Sequence, residues 1–423
     1  MKILWFTPTA SLYKSGSPKH SYNGSGWIAS LEEVVASRHD IDLAISFFHE
    51  TDDDYVRGIS HYYPMRKYRM NKLANLLDKF RPYPPKERYE LARIKRVIDE
   101  YHPDIIHIFG TEYIFAKAYK VTDIPIVVHL QGLLSPYSEA YYPIGFNRFN
   151  LWFFPSKYRD FFVHNTLEDR RKLLKRDAQR EAEYFKNIKH FMGRTQWDKS
   201  VAELLSSGRC KYHHINEILR PVFYKHAGQW KYHKQQKITI CTTISPMIYK
   251  GLDLVFKAAS LLRDLGQINF EWKVIGIDEQ SAYIRFIQTE LHYQPRDINL
   301  HFLGVLDSDA ICNELLSSDV YVHPSYIENS PNSLCEAQMI GVPVIATFVG
   351  GIPSIVKHEE SGILVPANGS YELAYWIHRI TKDTDLSNNL SRVETKLAIK
   401  RHAKQAILGA LVSVYQEILD KDK

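Results

Sequence analysis

Residues 323–353 read HPSYIENSPNSLCEAQMIGVPVIATFVGGIP, and this stretch decides the fold. Just ahead of it and overlapping it, residues 319–325 (DVYVHPS) are apolar, β-branched and aromatic, and end in proline. Such a run suits a parallel strand buried on both faces. Ser330 followed by Pro331 predicts an N-cap with proline at the first helical position. The helix continues through Leu334, Cys335, Ala337 and Met339 to Gly341, a residue suited to ending it. Residues 342–347 (VPVIAT) predict the next strand, and Gly350-Gly351 a tight turn before a short helix. Strand, loop, helix and strand in this order are one unit of a doubly wound sheet.

Two carboxylates frame the unit. Glu328 falls on the loop beyond the strand, and Glu336 about one turn inside the helix. A helix start offers backbone N–H groups and a positive dipole end, which together attract an anion. Ligands of open parallel sheets bind outside the carboxyl ends of the strands. A phosphate at the helix start, with a hydroxyl-accepting carboxylate on either side, would seat a nucleotide sugar. Two plainer readings stand beside this one. Ser333 and Glu336 also fit a capping box, and Glu328 also reads as an exposed loop residue.

Glu328-NSPNSLC-Glu336, then Gly341-Val342-Pro343-Val344-Ile345-Ala346-Thr347, then Gly350-Gly351, resembles the donor site of the family-4 retaining glycosyltransferases, glycosyltransferase group 1, with the GT-B fold. The resemblance implies α/β architecture with two doubly wound Rossmann-like domains facing across a cleft. It implies that Glu336 holds the ribose, that Glu328 meets hydroxyls of the donor sugar, and that the backbone of Ser330, Pro331, Asn332, Ser333 and Leu334 cradles the diphosphate. It further implies that Gly24 and Gly26 of the first loop approach the donor, and that His129, at a strand end, points into the cleft beside the transferred sugar. Where the family has an arginine and, five residues later, a lysine to neutralise the diphosphate, this chain has Ser245 and Lys250. One positive charge is therefore missing. Glu112 and Arg194, each following a strand, are expected on the acceptor side.

The chain has 423 residues, 45% hydrophobic and 24% charged, which fits a globular protein of two domains. We expect an N-terminal acceptor-binding domain at 1–221 and a C-terminal donor-binding domain at 222–404. A final helix at about 405–423 is expected to pack back on the first domain. The net charge of +6 is mild for this length and does not imply a nucleic-acid partner. Cys210, Cys241, Cys312 and Cys335 show no metal-type spacing, which suits free thiols in the cytoplasm. No apolar run reaches a membrane span, and MKILWFT reads as a first strand rather than a leader.

Along the first half, residues 2–7, 41–48, 105–109 and 125–130 predict strands, and 28–37 and 86–101 helices. Of the two strand histidines, His107 reads as core. Two D-x-D patterns, at Asp52-Asp53-Asp54 and Asp307-Ser308-Asp309, read as loop or cap residues. The resembled family needs no metal, so none is expected, and no other cofactor. Residues 140–162 are aromatic, with basic residues following at 170–176, a composition that suits peripheral contact with an anionic membrane at its cytoplasmic face and equally suits internal packing. Residues 225–237 (KHAGQWKYHKQQK) read as a linker.

The expected reaction is transfer of a sugar, with retention, from a UDP- or GDP-sugar to a glycan or lipid-linked acceptor. By analogy the setting is bacterial cell-surface polysaccharide synthesis. A sugar phosphorylase of the same fold and a non-catalytic nucleotide-sugar or glycan binding protein are the rival readings.

Overall fold

The computed structural model describes residues 1–13, 26–71, 74–75, 77–78, 82–142, 166–232, 236–266 and 268–421. They form two compact units. Unit 1 comprises Met1–Ser138, Arg171–Ile218 and His402–Lys423, and unit 2 comprises Glu139–Arg170 and Leu219–Arg401. The described residues 139–142 and 166–170 thus fall in unit 2.

Unit 1 holds β1 (Lys2–Phe6), β2 (Asp42–His49), β3 (Tyr55–Arg57), β4 (Ser60–Arg66), β5 (Ile105–Phe109), β6 (Ile126–His129), β7 (His190–Gly193) and β8 (Lys211–His214). The sheet order is β3-β4-β2-β1-β5-β6-β7-β8, parallel except for the β3–β4 edge. Strands β1, β5 and β6 are continuous apolar runs because helices cover both faces of a parallel sheet. Leu4, Phe6, Ile106, Ile108, Val128 and Phe191 accordingly share one core. Strands β3, β4 and β8 carry mixed tyrosine, histidine, lysine and arginine, so their sequences show no strand periodicity. Pro84 and Pro85 open the helix Pro84–Tyr101 at its first positions rather than breaking the chain ahead of it, since a helix start has no need of their missing N–H groups.

Unit 2 holds β9 (Ile238–Thr243), β10 (Phe270–Ile275), β11 (Leu300–Gly304), β12 (Val320–His323), β13 (Val344–Thr347) and β14 (Ile363–Val365). Its order, β11-β10-β9-β12-β13-β14, is that of a dinucleotide-type doubly wound sheet, with every pair parallel. The topological switch point falls between β9 and β12. The loops leaving those two strands carry Lys250 and Glu328.

The expected linker is partly an integral piece of unit 2. Trp230 is buried and donates from Nε1 to Ser318 O at 2.7 Å. Its backbone N–H donates to Ile340 O at 3.0 Å, and that of Gly228 to Met339 O at 3.0 Å. The polar and basic composition that suggested a linker hid one large apolar anchor.

Candidate active site

The carboxyl ends of β9 and β12 are brought together by a close backbone approach. Gly251 has φ +77°, and a Cβ there would lie 1.9 Å from Pro324 O. Only glycine suits that position. The preceding Lys250 is thereby set beside the loop after β12, and its ammonium is ion-paired with Glu328. His323, the last residue of β12, places Nε2 3.6 Å from the same Glu328 oxygen and 3.1 Å from Ser325 Oγ. Burial alone would push the Glu328 carboxyl up, but Lys250 and His323 outweigh it and hold Glu328 well below the usual carboxylate range. Burial lowers the His323 imidazole against the opposing pull of Glu328, so His323 is neutral near pH 7.

The backbone of Glu328 is clamped as well. Gly351 N–H donates to Glu328 O at 3.0 Å, and a Cβ on Gly350 would lie 2.0 Å from the same carbonyl. The Gly350-Gly351 turn read from the sequence therefore has a specific task, which is to let the loop after β13 lie against the loop after β12. Glu328 is buried, so it is no exposed loop residue.

The helix that follows runs Asn332–Ile340, one residue later than expected. Pro331, not Ser330, is its N-cap, and no side chain caps it. Glu336 takes no part in a capping box. Its two oxygens accept hydrogen bonds from Arg220 Nε and Nη2, each at 2.7 Å. The Ser333 side chain instead lies beside the Tyr321 phenol. The helix start offers fewer backbone N–H groups than expected. Pro331 has no N–H, and Leu334 N–H is committed to Pro331 O at 3.1 Å. Asn332 and Ser333 supply the first helical N–H groups, with Ser330 beside them. Asn332 also has a buried Oδ1 with no hydrogen-bond partner among the described residues.

In unit 1, His129 is fully buried and is no more exposed than His107. Its ring stacks on His107 at 5.5 Å and meets Trp27 edge-on at 5.3 Å. Neither ring nitrogen has a hydrogen-bond partner among the described residues. Burial, with the charge of Arg194, holds His129 neutral. Burial likewise pushes His107 down to about 3, and His107 Nδ1 lies 2.6 Å from Tyr415 OH. Arg194 is buried, paired from Nε with Glu217 at 3.1 Å, and lies 4.6 Å over the Trp27 ring. Glu112 follows β5, and burial together with the nearby Glu181 pushes its carboxyl up to about 7. Gly26 opens the helix Gly26–Val35, whereas Gly24 and residues 143–162 of the aromatic stretch lie outside the described residues.

The structure groups Glu328, Lys250 and the helix-start residues 330–334 in unit 2 and sets Glu336 on an arginine fork. His323 and Arg220 were missed from sequence. The strand-end argument applied to His129 would have found His323. No local signal points to Arg220, which is 116 residues from Glu336. The D-x-D at Asp307 is a helix cap, with Oδ1 accepting from Ala310 N–H at 2.9 Å. Asp52 accepts from Arg66 N–H at 2.6 Å and pairs with Arg93.

Two Rossmann-like sheets in one chain define the GT-B fold, and solved structures agree. Sucrose-phosphate synthase from Thermosynechococcus elongatus matches with a TM-score of 0.73 at 15% identity over 99% of both chains. HepE from Anabaena, solved in complex with UDP and glucose, matches with a TM-score of 0.61 at 18% identity over 98% of this chain and 99% of its own. Residues 226–396 match the family described as glycosyl transferases group 1, which supports placing this chain among them. The chain is 32% identical over 178 residues to Salmonella typhimurium WcaL, named as a colanic acid biosynthesis glycosyltransferase. It is 27% identical over 191 residues to the N-acetyl-alpha-D-glucosaminyl L-malate synthase of Bacillus anthracis. These matches span 40% and 45% of this chain and 42% and 48% of the relatives' own lengths, less than half in each case.

Proposed function

We propose that this chain is a retaining glycosyltransferase of the family-4 type, which moves a sugar from a nucleoside-diphosphate sugar to a glycan or lipid-linked acceptor. The observation that carries the reading is the Lys250–Glu328 pair at the switch point of unit 2, next to a helix start and followed by Glu336. In this reading Glu328 accepts hydrogen bonds from donor-sugar hydroxyls and Glu336 from the ribose. The helix N–H groups of Asn332 and Ser333, with Lys250, stabilise the departing diphosphate. No step calls for a metal, because the positive charge comes from the protein. His129, Glu112 and Arg194 belong to the acceptor half, and Gly26 to the first loop. Retention follows from displacement on the same face, with the leaving phosphate taking the acceptor proton. Relatives named for colanic acid and amylovoran biosynthesis favour an acceptor in extracellular polysaccharide assembly. Among the described residues no helix is long and apolar enough to cross a membrane. Reach to a lipid-linked acceptor would therefore rest on surface contact, which salt-sensitive sedimentation with anionic liposomes tests.

The deciding experiment is thermal unfolding with UDP, GDP and ADP and their sugars. Ligand at about 100 times its dissociation constant raises stability by roughly 2.7 kcal/mol. A shift with one nucleotide in the wild type, lost in Glu336→Gln, supports the reading. No shift with any nucleotide overturns it. Ser245 favours a second reading, a binding protein without turnover, since the charge it replaces would stabilise the leaving group. Tight nucleotide-sugar binding with neither transfer nor hydrolysis would select it.

A further inference from the structure

Arg220 lies outside the donor motif and yet grips its second carboxylate. It is the N-cap of the short helix Pro221–Lys225, with Pro221 fixing the first helical residue. Its guanidinium lies 5.0 Å over the ring of Phe223, which is fully buried in the unit 2 core. The arginine is thus held by its own surroundings. From that position it delivers two parallel N–H bonds to Glu336, both at 2.7 Å. The Glu336 side chain is 4% exposed, while that of Arg220 is 26% exposed. A bidentate fork fixes the plane and rotation of a carboxylate as well as its place. It also compensates a charge whose burial would otherwise be costly. A carboxylate accepts about four hydrogen bonds, more than a two-bond fork supplies.

We infer that Arg220 is a positioning residue for nucleotide recognition: its fork orients the Glu336 carboxylate so that it can accept the two hydroxyls of a ribose. This rests on the proposed role of Glu336. A cis-diol presents two donors at a fixed separation, and an acceptor free to rotate would meet both at once only part of the time. Supporting groups that lock a binding side chain are what turn a nearby carboxylate into a selective one. Lysine at the same place would keep the charge and lose the fork.

The test compares the affinity of each of UDP, GDP and ADP with that of its 2′,3′-dideoxy form, by calorimetry on the full chain. A site built to hydrogen-bond ribose hydroxyls should prefer the ribonucleotide by about tenfold or more. Glu336→Gln should bring that ratio close to one. Arg220→Gln should lower it to within about threefold of the Glu336→Gln value, and the double variant should lose no more. Arg220→Lys, the gentler change, should still lower the ratio by about threefold or more. Arg220 variants that keep the wild-type ratio, or weaken ribo and dideoxy forms equally, overturn the inference and leave the donor-site reading intact. Glu336→Gln with an unchanged ratio, or a wild type that binds none of the three nucleotides, overturns both.

Discussion

Each sheet has a switch point, and the two are furnished in opposite ways. In unit 2, between β9 and β12, Glu328 is ionised against Lys250, and Glu336 close by is held by Arg220. In unit 1, between β1 and β5, the carboxylate is Glu112. Among the described residues it forms no ion pair with a cation, and its carboxyl is pushed up to about 7 by burial and by Glu181. The nearby Arg180 donates to the backbone oxygen of Glu112 instead. Strand β6 beside it ends in His129, which burial keeps neutral. The contrast teaches that a shared architecture does not dictate the charge at its ligand-facing end. The unit 2 switch point keeps fixed charges, as the proposed diphosphate and sugar ligand would require. At the unit 1 switch point the groups are neutral or close to their titration point, as the proposed hydroxyl acceptor would allow.

The contrast breaks first if the unit 2 charges are dispensable. Glu328→Gln should lower the transfer rate by about 10³-fold, equivalent to about 4 kcal/mol, while circular dichroism stays that of the wild type. A loss of less than tenfold would remove Glu328 from the reaction. Next comes an ion pair near the strand ends of unit 1, that of Arg194 with the buried Glu217. Arg194→Met strands a buried charge and should cost about 3 kcal/mol in denaturant unfolding. A cost near zero would mean that unit 1 does not rely on that charge.

Glu112 gives a smaller effect and sharpens the comparison. Its folded-state value, about 7, lies above the ordinary 4.5. The stability this gives is full below the unfolded value and is lost as pH rises through about 7. Glu112→Gln should therefore gain about 1–2 kcal/mol relative to wild type at pH 8–9, and little at pH 4. If the two proteins show parallel stability–pH curves, Glu112 is an ordinary carboxylate and the two switch points are more alike than described. The smallest expected effect is that of EDTA, which should leave transfer within about twofold, since Lys250 and the helix start carry the charge. Loss of activity restored by Mg²⁺ or Mn²⁺ would put a metal at the diphosphate.

Much of this was legible in local sequence. The strand at 105–109 was placed to the residue, and β1, β2, β6 and β13 to within one or two at either end. Buried parallel strands must be apolar runs, and the residues that bound them are proline and glycine. The proximity of Glu328 to Lys250 was implicit in two strand-end loops of a doubly wound order. The strands β3, β4 and β8 were not legible, because β3 and β8 are short edge strands and the three between them carry tyrosine, histidine, lysine and arginine in place of apolar runs.

By itself, then, the sequence determined the two doubly wound halves, the loop and helix that carry Glu328 and Glu336, and the glycine turn at 350 and 351. These depend on periodicity and backbone conformation, which neighbouring residues encode. Tertiary structure alone decided which cation meets which carboxylate. Arg220 reaches Glu336 across 116 residues, and the pairing rests on Phe223 and a proline-fixed helix start. It also decided that His129 is buried beside His107 and that Trp230 anchors a segment that reads as linker. Ion pairs and burial are set by distances between elements far apart in the chain, and no local pattern carries that information.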